Sequence, residues 1–549
     1  MISGVADSPP STLLALPARV AASYGWSPLV SLARSSVNSL FSRLQVGLLT
    51  IKDSDGTTYR FGDQSLVAVA QQQQQQTAHS SSTSTASSSS ASSSSHSSEG
   101  PLNEATPIKA TLVVKDDTFW VRMFFGADLG FSEAFMAGEV ETPDLGDCFS
   151  LFIHNRAALS ELDLGVASRV TGYIQGQLNK RYANTKGGSL KNIGAHYDIS
   201  NAMYERFLSR DMTYSCGIYP SLDADVAPPV PLAAANSLRS AGPTKARSSK
   251  GPQLPRDSGL GSPQSDSSQP IDELEEAQIT KLRLHISRCQ ISPGDRVLEI
   301  GTGWGSLAME TCNMVPGVTV DSLTLSKEQK SLAEARIKEA GLEQRIRVHL
   351  LDYRDMPKEW EGSFDRVVSI EMLEAVGIEF LSTYFAAIHK VLKMDTGTAV
   401  FQCITMPESR FEAYVKGVDF IKKYIFPGGV LPSVTSLVTA MTAGSEGTMI
   451  LQAVDSIGPH YARTLREWRQ RFEASFDGED GIREALLKDH ATIRNLPKEK
   501  RDKEVEVFKR KWLYYFTYCE RGFTENQIGD HILTFARVGA PKQPLSFGA

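Results

Sequence analysis

The most constraining feature of this sequence is a short apolar run that leads directly into three alternating glycines, Val297-Leu-Glu-Ile-Gly-Thr-Gly-Trp-Gly305. Glycines in such a turn let the backbone reverse sharply and let a ligand lie against the amides at the start of the next helix. Their spacing differs from G-x-G-x-x-G and favours S-adenosylmethionine over a dinucleotide. The alternative is a tight strand-to-helix connection that holds no ligand.

Further short apolar runs follow at the spacing of strand–helix–strand units. Each fits a buried parallel strand, and together they predict an α/β fold with a doubly wound, Rossmann-like sheet over residues 166–549. The runs are Arg296–Ile300, Val318–Val320, Ile346–Leu350, Arg366–Ile370 and Thr398–Phe401.

Two segments of the 549 residues lack the large apolar side chains that a core requires. Residues 71–101 are a Gln/Ser/Thr tract, and residues 225–270 are rich in Pro, Ser and Gly. Because burial cannot offset chain entropy there, we predict disordered insertions looped out of folded domains.

Residues 36–165 around the first insertion are predicted to form a small α+β domain. Leu44–Asp53 and Thr57–Phe61 indicate a hairpin, and Ala110–Val114 and Phe119–Phe125 indicate two more strands. A helix is expected near Phe131–Ala137.

Residues 1–35 contain Arg19 and Arg34 but a single acid, Asp7. This composition fits either a disordered N-terminus or an organelle transit segment, so the expected location is cytoplasmic and peripheral to membranes, with a mitochondrial location as the alternative.

Charge and cysteine content exclude several classes of protein. The 57 basic and 63 acidic residues give a net charge of -6, so no field of one sign draws the chain to nucleic acid or anionic lipid. No run of 18 apolar residues is present, which argues against a membrane span. Six cysteines without a C-x-x-C pair argue against a zinc site or a disulfide framework and for a reducing compartment, so no metal is expected.

Several separated motifs in one order resemble the cyclopropane-fatty-acyl-phospholipid synthase family, which includes the mycolic acid cyclopropane synthases. The resemblance covers residues 165–540. Its motifs are the glycine turn, Asn192–Asn201, Met212–Gly217, Leu323–Gln329, Leu351–Arg354, Ser369–Gly377 and Phe420–Gly429.

The resemblance implies an S-adenosylmethionine-dependent methyltransferase that adds a methylene across the cis double bond of a fatty acyl chain in a phospholipid. It further implies work at a membrane surface, no nucleic acid partner and, as in bacterial relatives, a homodimer. Two alternatives stay open: C-methylation of an acyl chain or sphingoid base to give a methyl branch, and a lipid-binding protein without turnover.

In the family the base that removes the final proton is thought to be a bound bicarbonate. The resemblance assigns backbone amides of Cys216 and Ile404 and side chains of Glu374 and Tyr461 to it. Where many members have a histidine, this chain has Gln402, whose amide can donate a hydrogen bond but cannot change charge near neutral pH. The bicarbonate expectation is weakened accordingly.

Glu374 has a competitor three residues before it, Glu371, which could share a helical face. A helix cap is the alternative role for Glu374. The resemblance favours Glu374.

The resemblance also implies a set of cosubstrate contacts, for which helix capping or core packing are the alternatives. Asp321 is a strand-end acid of uncertain role. The expected contacts are Tyr214, Ser215, Gly301, Thr302, Gly303, Trp304, Gly305, Thr324, Ser326, Gln329 and Tyr353.

Cys519 matches a C-terminal cysteine once proposed as an active-site residue of the family. Direct methyl transfer to carbon needs no thiolate, so a buried structural cysteine is favoured. C-terminal aromatics could line an acyl channel or belong to the core: Phe420, Tyr424, Phe426, Trp512, Tyr514, Tyr515 and Phe516. Lys422, Lys423 and Arg463 are candidates for contacts with lipid phosphates.

Overall fold

The computed structural model describes residues 26–68, 107–160, 201–222 and 272–540. These residues belong to two compact units, one for the first two ranges and one for the last two. Both predicted insertions, the boundary near residue 165 and nearly all of the Asn192–Asn201 motif lie outside the described residues.

The N-terminal unit is a four-stranded sheet with helices against it, as predicted for a small α+β domain. Strands β1 and β2 form the expected antiparallel hairpin, and β3 pairs with β1 in parallel. Its strands are β1 (Leu48–Lys52), β2 (Thr58–Gly62), β3 (Lys109–Val114) and β4 (Val140–Glu141), and its helices are α1 (Trp26–Phe41), α2 (Thr118–Ala137), α3 (Leu145–His154) and α4 (Arg156–Ser160).

The strand predicted over Phe119–Phe125 is wrong, because these residues open helix α2. A strand would place Trp120 on the opposite face from Phe119, yet both side chains are fully buried. Together with Met123 they follow the i, i+1, i+4 spacing of a helical face. The aromatic run therefore has strand propensity that burial on one helical face overrides.

Helix α1 begins at Trp26, inside the stretch that the sequence assigned to a disordered N-terminus. Leu29, Val30 and Ala33 are buried on its inner face, which explains why residues before position 35 are folded. The predicted N-terminal segment is therefore too long by its last ten residues.

The larger unit contains a seven-stranded sheet in the order β10-β11-β9-β8-β5-β6-β7. Strands β5 to β9 pair in parallel, and β11 is antiparallel to both β9 and β10. The strands are β5 (Arg296–Ile300), β6 (Thr319–Thr324), β7 (Ile346–Leu350), β8 (Arg366–Ile370), β9 (Thr398–Thr405), β10 (Met449–Ser456) and β11 (Gly529–Arg537). The predicted doubly wound α/β fold is confirmed.

Helices cover this sheet and extend into a C-terminal aromatic layer. They are α5 (Asn201–Phe207), α6 (Glu273–Arg288), α7 (Ser306–Met314), α8 (Lys327–Glu339), α9 (Leu381–Val391), α10 (Glu408–Lys416), α11 (Val434–Gly444), α12 (Gly458–Ala474), α13 (Ile482–Asp489), α14 (Ala491–Arg494) and α15 (Lys498–Thr524). Short 3-10 turns lie at Tyr353–Asp355, Lys358–Trp360, Leu373–Ala375 and Ile378–Phe380, and a π turn at Ile421–Ile425.

The sheet order places a topological switch point at β5, because the chain passes from β5 to β6 and β7 and then returns to β8 on the other side. Ligands of open α/β sheets bind beyond the carboxyl ends of the strands at such a point. The glycine turn follows β5 directly and therefore lies at this position. Within the described ranges no helix is long and apolar enough to cross a membrane.

Candidate active site

The glycine turn adopts backbone conformations that side chains other than glycine rarely take. Gly301, Gly303 and Gly305 have φ values of 105°, 52° and 90°. A Cβ atom at Gly301 would also lie 3.4 Å from the Cβ of Met372. The alternating glycines are thus explained by backbone geometry at the mouth of a cavity.

A cavity opens at this turn and contains most of the residues expected to contact S-adenosylmethionine. Nine of the eleven predicted contacts line it: Tyr214, Ser215, Gly301, Thr302, Gly303, Trp304, Thr324, Gln329 and Tyr353. Their roles stay predictions, but the structure brings them together from four separate segments of the chain.

Gly305 and Ser326 do not line the cavity. Gly305 is the residue before helix α7, and the Ser326 hydroxyl accepts a hydrogen bond of 3.1 Å from the Gln329 amide at the start of α8. Ser326 therefore has the helix-capping role that was the alternative.

Glu299 is a cavity residue that sequence reasoning missed. It accepts a hydrogen bond of 2.5 Å from the Ser322 hydroxyl, and burial raises its pKa to about 8. Asp321, by contrast, does not line the cavity; it forms an ion pair with Arg296 at 2.9 Å and contacts His349. The sequence signal for Glu299 was an acidic residue inside a predicted buried strand. Charged side chains are seldom buried, so this position was not considered as part of the site.

The segment from Thr213 to Gly217 covers one side of the cavity and is anchored by helix α6. Gln278 donates to the Ser215 carbonyl at 2.7 Å, and the Lys281 ammonium donates to the Ser215 hydroxyl. Gln278 and Lys281 are both fully buried. These two contacts from α6 therefore fix the position of Ser215 and of the Cys216 amide that follows it.

Arg336 on α8 ties this segment to the glycine turn. Its guanidinium donates to the Trp304 carbonyl at 2.6 Å and to the Asp211 carbonyl at 2.9 Å. The two walls of the cavity are thus held by one side chain that the sequence analysis did not single out.

The expected anion-binding groups converge on a carboxylate of this chain, Glu371. Its Oε1 accepts from the Cys216 amide at 2.8 Å and from the Gln402 side chain at 2.7 Å. Its Oε2 accepts from the Tyr461 hydroxyl at 2.6 Å. Glu371 lines the cavity, so it faces the same space as the glycine turn.

Glu374, which the resemblance favoured, lies outside this convergence. Its Oε1 accepts from the Ile404 amide at 2.6 Å, and its Oε2 is buried without a hydrogen-bond partner. Burial and the nearby Glu371 charge raise the pKa of Glu374 to about 8. Its side chain is absent from the cavity lining, whereas Glu371 contributes to it.

A second acid, Asp530 on β11, completes the cluster. The Gln402 side-chain amide bridges the two carboxylates, donating to Asp530 at 2.8 Å as well as to Glu371. Burial and the Glu371 charge raise the pKa of Asp530 well above its usual range. Burial raises the pKa of Glu371 as well, but hydrogen bonds from Tyr461 and the Cys216 amide oppose that shift, so Glu371 is the acid of the pair whose ionised form is better stabilised.

The backbone at Glu371 is strained, with a φ of 46°. A left-handed conformation at a residue with a side chain costs about 1–3 kcal/mol and persists where the surroundings enforce it. The strain directs this carboxylate into the cavity, and local sequence does not reveal it.

Cys519 does not act as a thiolate in this arrangement. Burial raises the pKa of its thiol far above the usual range, with Asp419 adding to the shift. The side chain is half-buried, unlike those of the other five cysteines, and its structural role stays a prediction.

The C-terminal aromatics divide between the core and the site. Trp512 and Phe516 are fully buried and pack against Phe472. Tyr515 contacts Phe426 and lies 3.0 Å from the Tyr214 hydroxyl, beside the cavity. Tyr515, Phe426 and Tyr214 thus form an aromatic wall beside the cavity.

Two of the three basic residues considered for lipid phosphates are engaged inside the protein. Lys422 is buried and donates to the Tyr414 and Gly417 carbonyls. Arg463 is buried and pairs with Glu273. These two cations therefore hold the fold together rather than meeting a headgroup.

The parallel sheet, with its glycine turn and cavity at the switch point, defines a class I S-adenosylmethionine-dependent methyltransferase. The family described as mycolic acid cyclopropane synthetase matches residues 184–242 and 267–531. The chain belongs to this family, as the motif resemblance predicted.

Individual relatives carry different activities. The tuberculostearic acid methyltransferase UfaA1 of Mycobacterium tuberculosis is 32% identical over 75% of this chain and 80% of its own length. The cyclopropane-fatty-acyl-phospholipid synthase of Escherichia coli K12 is 28% identical over 79% of this chain and 90% of its own length. The structure of cyclopropane synthase MmaA2 from M. tuberculosis covers 63% of this chain and 98% of that chain at 23% identity, with a TM-score of 0.45.

Proposed function

We propose that this protein transfers the methyl group of S-adenosylmethionine to the cis double bond of an unsaturated fatty acyl chain in a phospholipid, and that the product closes to a cyclopropane. The observation that carries the proposal is the position of the Glu371 carboxylate, which lines the cosubstrate cavity beside an aromatic wall. Such a site combines a proton acceptor with an apolar space for a hydrocarbon chain.

The first step requires positioning more than chemical activation. The alkene is a weak nucleophile, so the sulfonium methyl must be held in line with it. The alkene electron pair forms the new carbon–carbon bond, and the sulfur keeps the electron pair of the bond that breaks. A carbocation remains on the neighbouring carbon, and the ring of Tyr214, which lines the cavity, would stabilise its positive charge.

The second step removes a proton from the transferred methyl group. The carbon–hydrogen electron pair then closes the three-membered ring. Glu371 shares a cavity with the glycine turn, so it lies on the side from which the methyl arrives. Proton loss from that methyl needs no prior rearrangement, which favours ring closure.

A second product is supported by one observation, the methyltransferase activity named for the relative at 32% identity. If a hydride shifts to the cationic carbon before the proton is lost, the same base gives a methylene branch. Both products share the substrate, the cosubstrate and the first step.

The test uses purified protein, S-adenosylmethionine with a trideuterated methyl group and vesicles of a cis-monounsaturated phospholipid. Mass spectrometry of the released acyl chains is expected to show one added carbon carrying two deuterons, and proton NMR is expected to show a cyclopropane ring. Saturated phospholipid should give no product.

The test variant is Gly301→Val, because valine is strained at the observed φ of 105° and its Cβ would lie 3.4 Å from Met372, and the matched control is Gly417→Ala. Gly301→Val should lose methyl transfer, whereas Gly417→Ala in the same unit, where a Cβ meets only ordinary contacts, should keep it. An olefinic methylene in the NMR spectrum would favour the second product. Lipid binding without any S-adenosylhomocysteine formation would contradict the proposal and support a lipid-binding protein without turnover.

A further inference from the structure

Bicarbonate, the base implied by the resemblance, does not fit the groups expected to hold it. A bound anion needs hydrogen-bond donors directed at an open position. The Cys216 amide, the Gln402 side chain and the Tyr461 hydroxyl instead donate to Glu371 at 2.6–2.8 Å. The remaining expected donor, the Ile404 amide, is used by Glu374.

The charge around this position also disfavours a further anion. Glu371 and Asp530 are bridged by Gln402, and Glu374 lies close enough to raise the pKa of Asp530 further. The Lys281 ammonium on α6 acts on Glu371 and lowers its pKa. Its positive charge is therefore already matched by the Glu371 carboxylate and is not left over for bicarbonate.

A buried acceptor atom without a partner points the same way. Gln402 Oε1 is an amide oxygen that is buried and accepts no hydrogen bond. An oxygen acceptor repels an anion, but it suits a sulfonium methyl or a carbocation, both of which are positive.

We propose that the Glu371 carboxylate replaces bicarbonate as the proton acceptor of this enzyme, with Gln402 and Asp530 as its positioning residues. The inference rests on the proposed function and names the base of that reaction. A Glu371 oxygen takes the proton from the transferred methyl, and the carbon–hydrogen electron pair forms the new carbon–carbon bond. Glu371 becomes neutral and later releases the proton to solvent.

The first experiment measures methyl transfer to unsaturated phospholipid vesicles in carbon-dioxide-depleted buffer, with and without added bicarbonate. The wild-type rate is expected to be the same within about twofold, because no exogenous base takes part. A rate that depends on bicarbonate would overturn the inference. If no methylated lipid forms in either buffer, the proposed function itself is wrong, so the two failures are distinguishable.

Two variants at Glu371 separate its chemistry from its shape. Glu371→Gln keeps the size of the side chain but cannot accept the proton, so we expect a loss of about 100-fold or more, typical of a missing general base. Wild-type affinity for S-adenosylhomocysteine and an unchanged melting temperature would exclude misfolding. A Glu371→Gln variant that keeps the wild-type rate would overturn the inference.

Glu371→Gly opens the site without backbone strain, because glycine tolerates the observed φ of 46°. The Cys216 amide, the Gln402 side chain and the Tyr461 hydroxyl should then donate their hydrogen bonds to a small bound anion. Restoration of the rate by added bicarbonate or formate would support the inference.

Calorimetry supplies a readout that does not depend on turnover. Titration of bicarbonate into protein loaded with S-adenosylhomocysteine should give heat with Glu371→Gly and none with wild type. Saturable binding to the wild type would overturn the inference. Glu379→Gln, an exposed acid of the same loop, is the matched control and should behave as wild type in every assay.

Discussion

The hydroxyl of Tyr461 donates a hydrogen bond of 2.6 Å to Oε2 of Glu371. Tyr461 lies in the first turn of α12, and Glu371 directly follows β8. The contact therefore joins two elements whose residues are 90 positions apart in the sequence. Tyr461 is held in turn by stacking against Phe523 at 4.5 Å between ring centroids. A rigid donor thus sets both the orientation and the charge state of the proposed base.

Tyr461→Phe is expected to weaken the base by removing this donor. A hydrogen bond to a charged group contributes about 1.5–3 kcal/mol, so the ionised form of Glu371 becomes less stable and its pKa rises. Because the base must be ionised, the acidic limb of the kcat profile should move to higher pH. On that limb we expect a loss of about tenfold, corresponding to about 1.4 kcal/mol.

A matched control is Tyr219→Phe, which removes a hydroxyl from a tyrosine buried to a similar degree but not bonded to Glu371. Its pH profile should coincide with that of the wild type. An unshifted profile for Tyr461→Phe would contradict the role assigned to this hydroxyl.

Arg336→Met should weaken cosubstrate binding although Arg336 is remote from the reacting atoms. The substitution leaves the buried carbonyls of Trp304 and Asp211 without their donor, which costs about 1–3 kcal/mol. Calorimetry with S-adenosylhomocysteine is therefore expected to show a Kd about tenfold or more higher.

Lys338→Met on the exposed side of the same helix should leave the Kd unchanged. Arg336→Lys restores the charge but not the two-pronged geometry, so only partial recovery is expected. Wild-type affinity in Arg336→Met would show that the two cavity walls are held by other contacts.

The parallel half of the sheet could be predicted because its strands are short apolar runs at regular spacing. Strands β10 and β11 could not. Within β10 only Met449 is buried, the other residues alternate between half-buried and exposed, and the register is irregular between Leu451 and Ala453. β11 pairs with β9, although the two strands are more than a hundred residues apart in the sequence. The local pattern of neither strand indicates its partner.

The site shows the same division between local and long-range information. The glycine turn and its neighbours are contiguous motifs, and most of them reach the cavity. The choice between Glu371 and Glu374 depends on a left-handed backbone at Glu371, and Asp530 meets Gln402 across 128 residues. Such tertiary relations leave no periodic trace in the sequence.

Cys519→Ala should keep methyl transfer within about twofold of the wild type. Its thiol is held protonated by burial, and direct transfer to carbon needs no thiol nucleophile. Iodoacetamide treatment of the folded wild type should likewise leave the rate unchanged. A tenfold loss in Cys519→Ala with unchanged melting temperature and unchanged S-adenosylhomocysteine affinity would assign this cysteine a part in the reaction.

Glu299→Gln should stabilise the protein as the pH rises. Burial raises the pKa of Glu299 from its ordinary 4.5 to about 8 in the folded state. A carboxyl with a raised pKa contributes its full stability below about 4.5 and loses it progressively as the pH rises towards about 8. Glutamine accepts the hydrogen bond of Ser322 without this loss.

The melting temperature of Glu299→Gln minus that of the wild type is therefore expected to be larger at alkaline than at acidic pH. A change of about 1 kcal/mol in the free energy of unfolding would shift the melting temperature by about 2–4 °C for a unit of this size. Glu343→Gln, an exposed acid of the same unit, should show no such trend. An equal melting difference at both pH values would contradict the raised pKa. It would mean that Glu299 is ionised in the folded protein in spite of its burial.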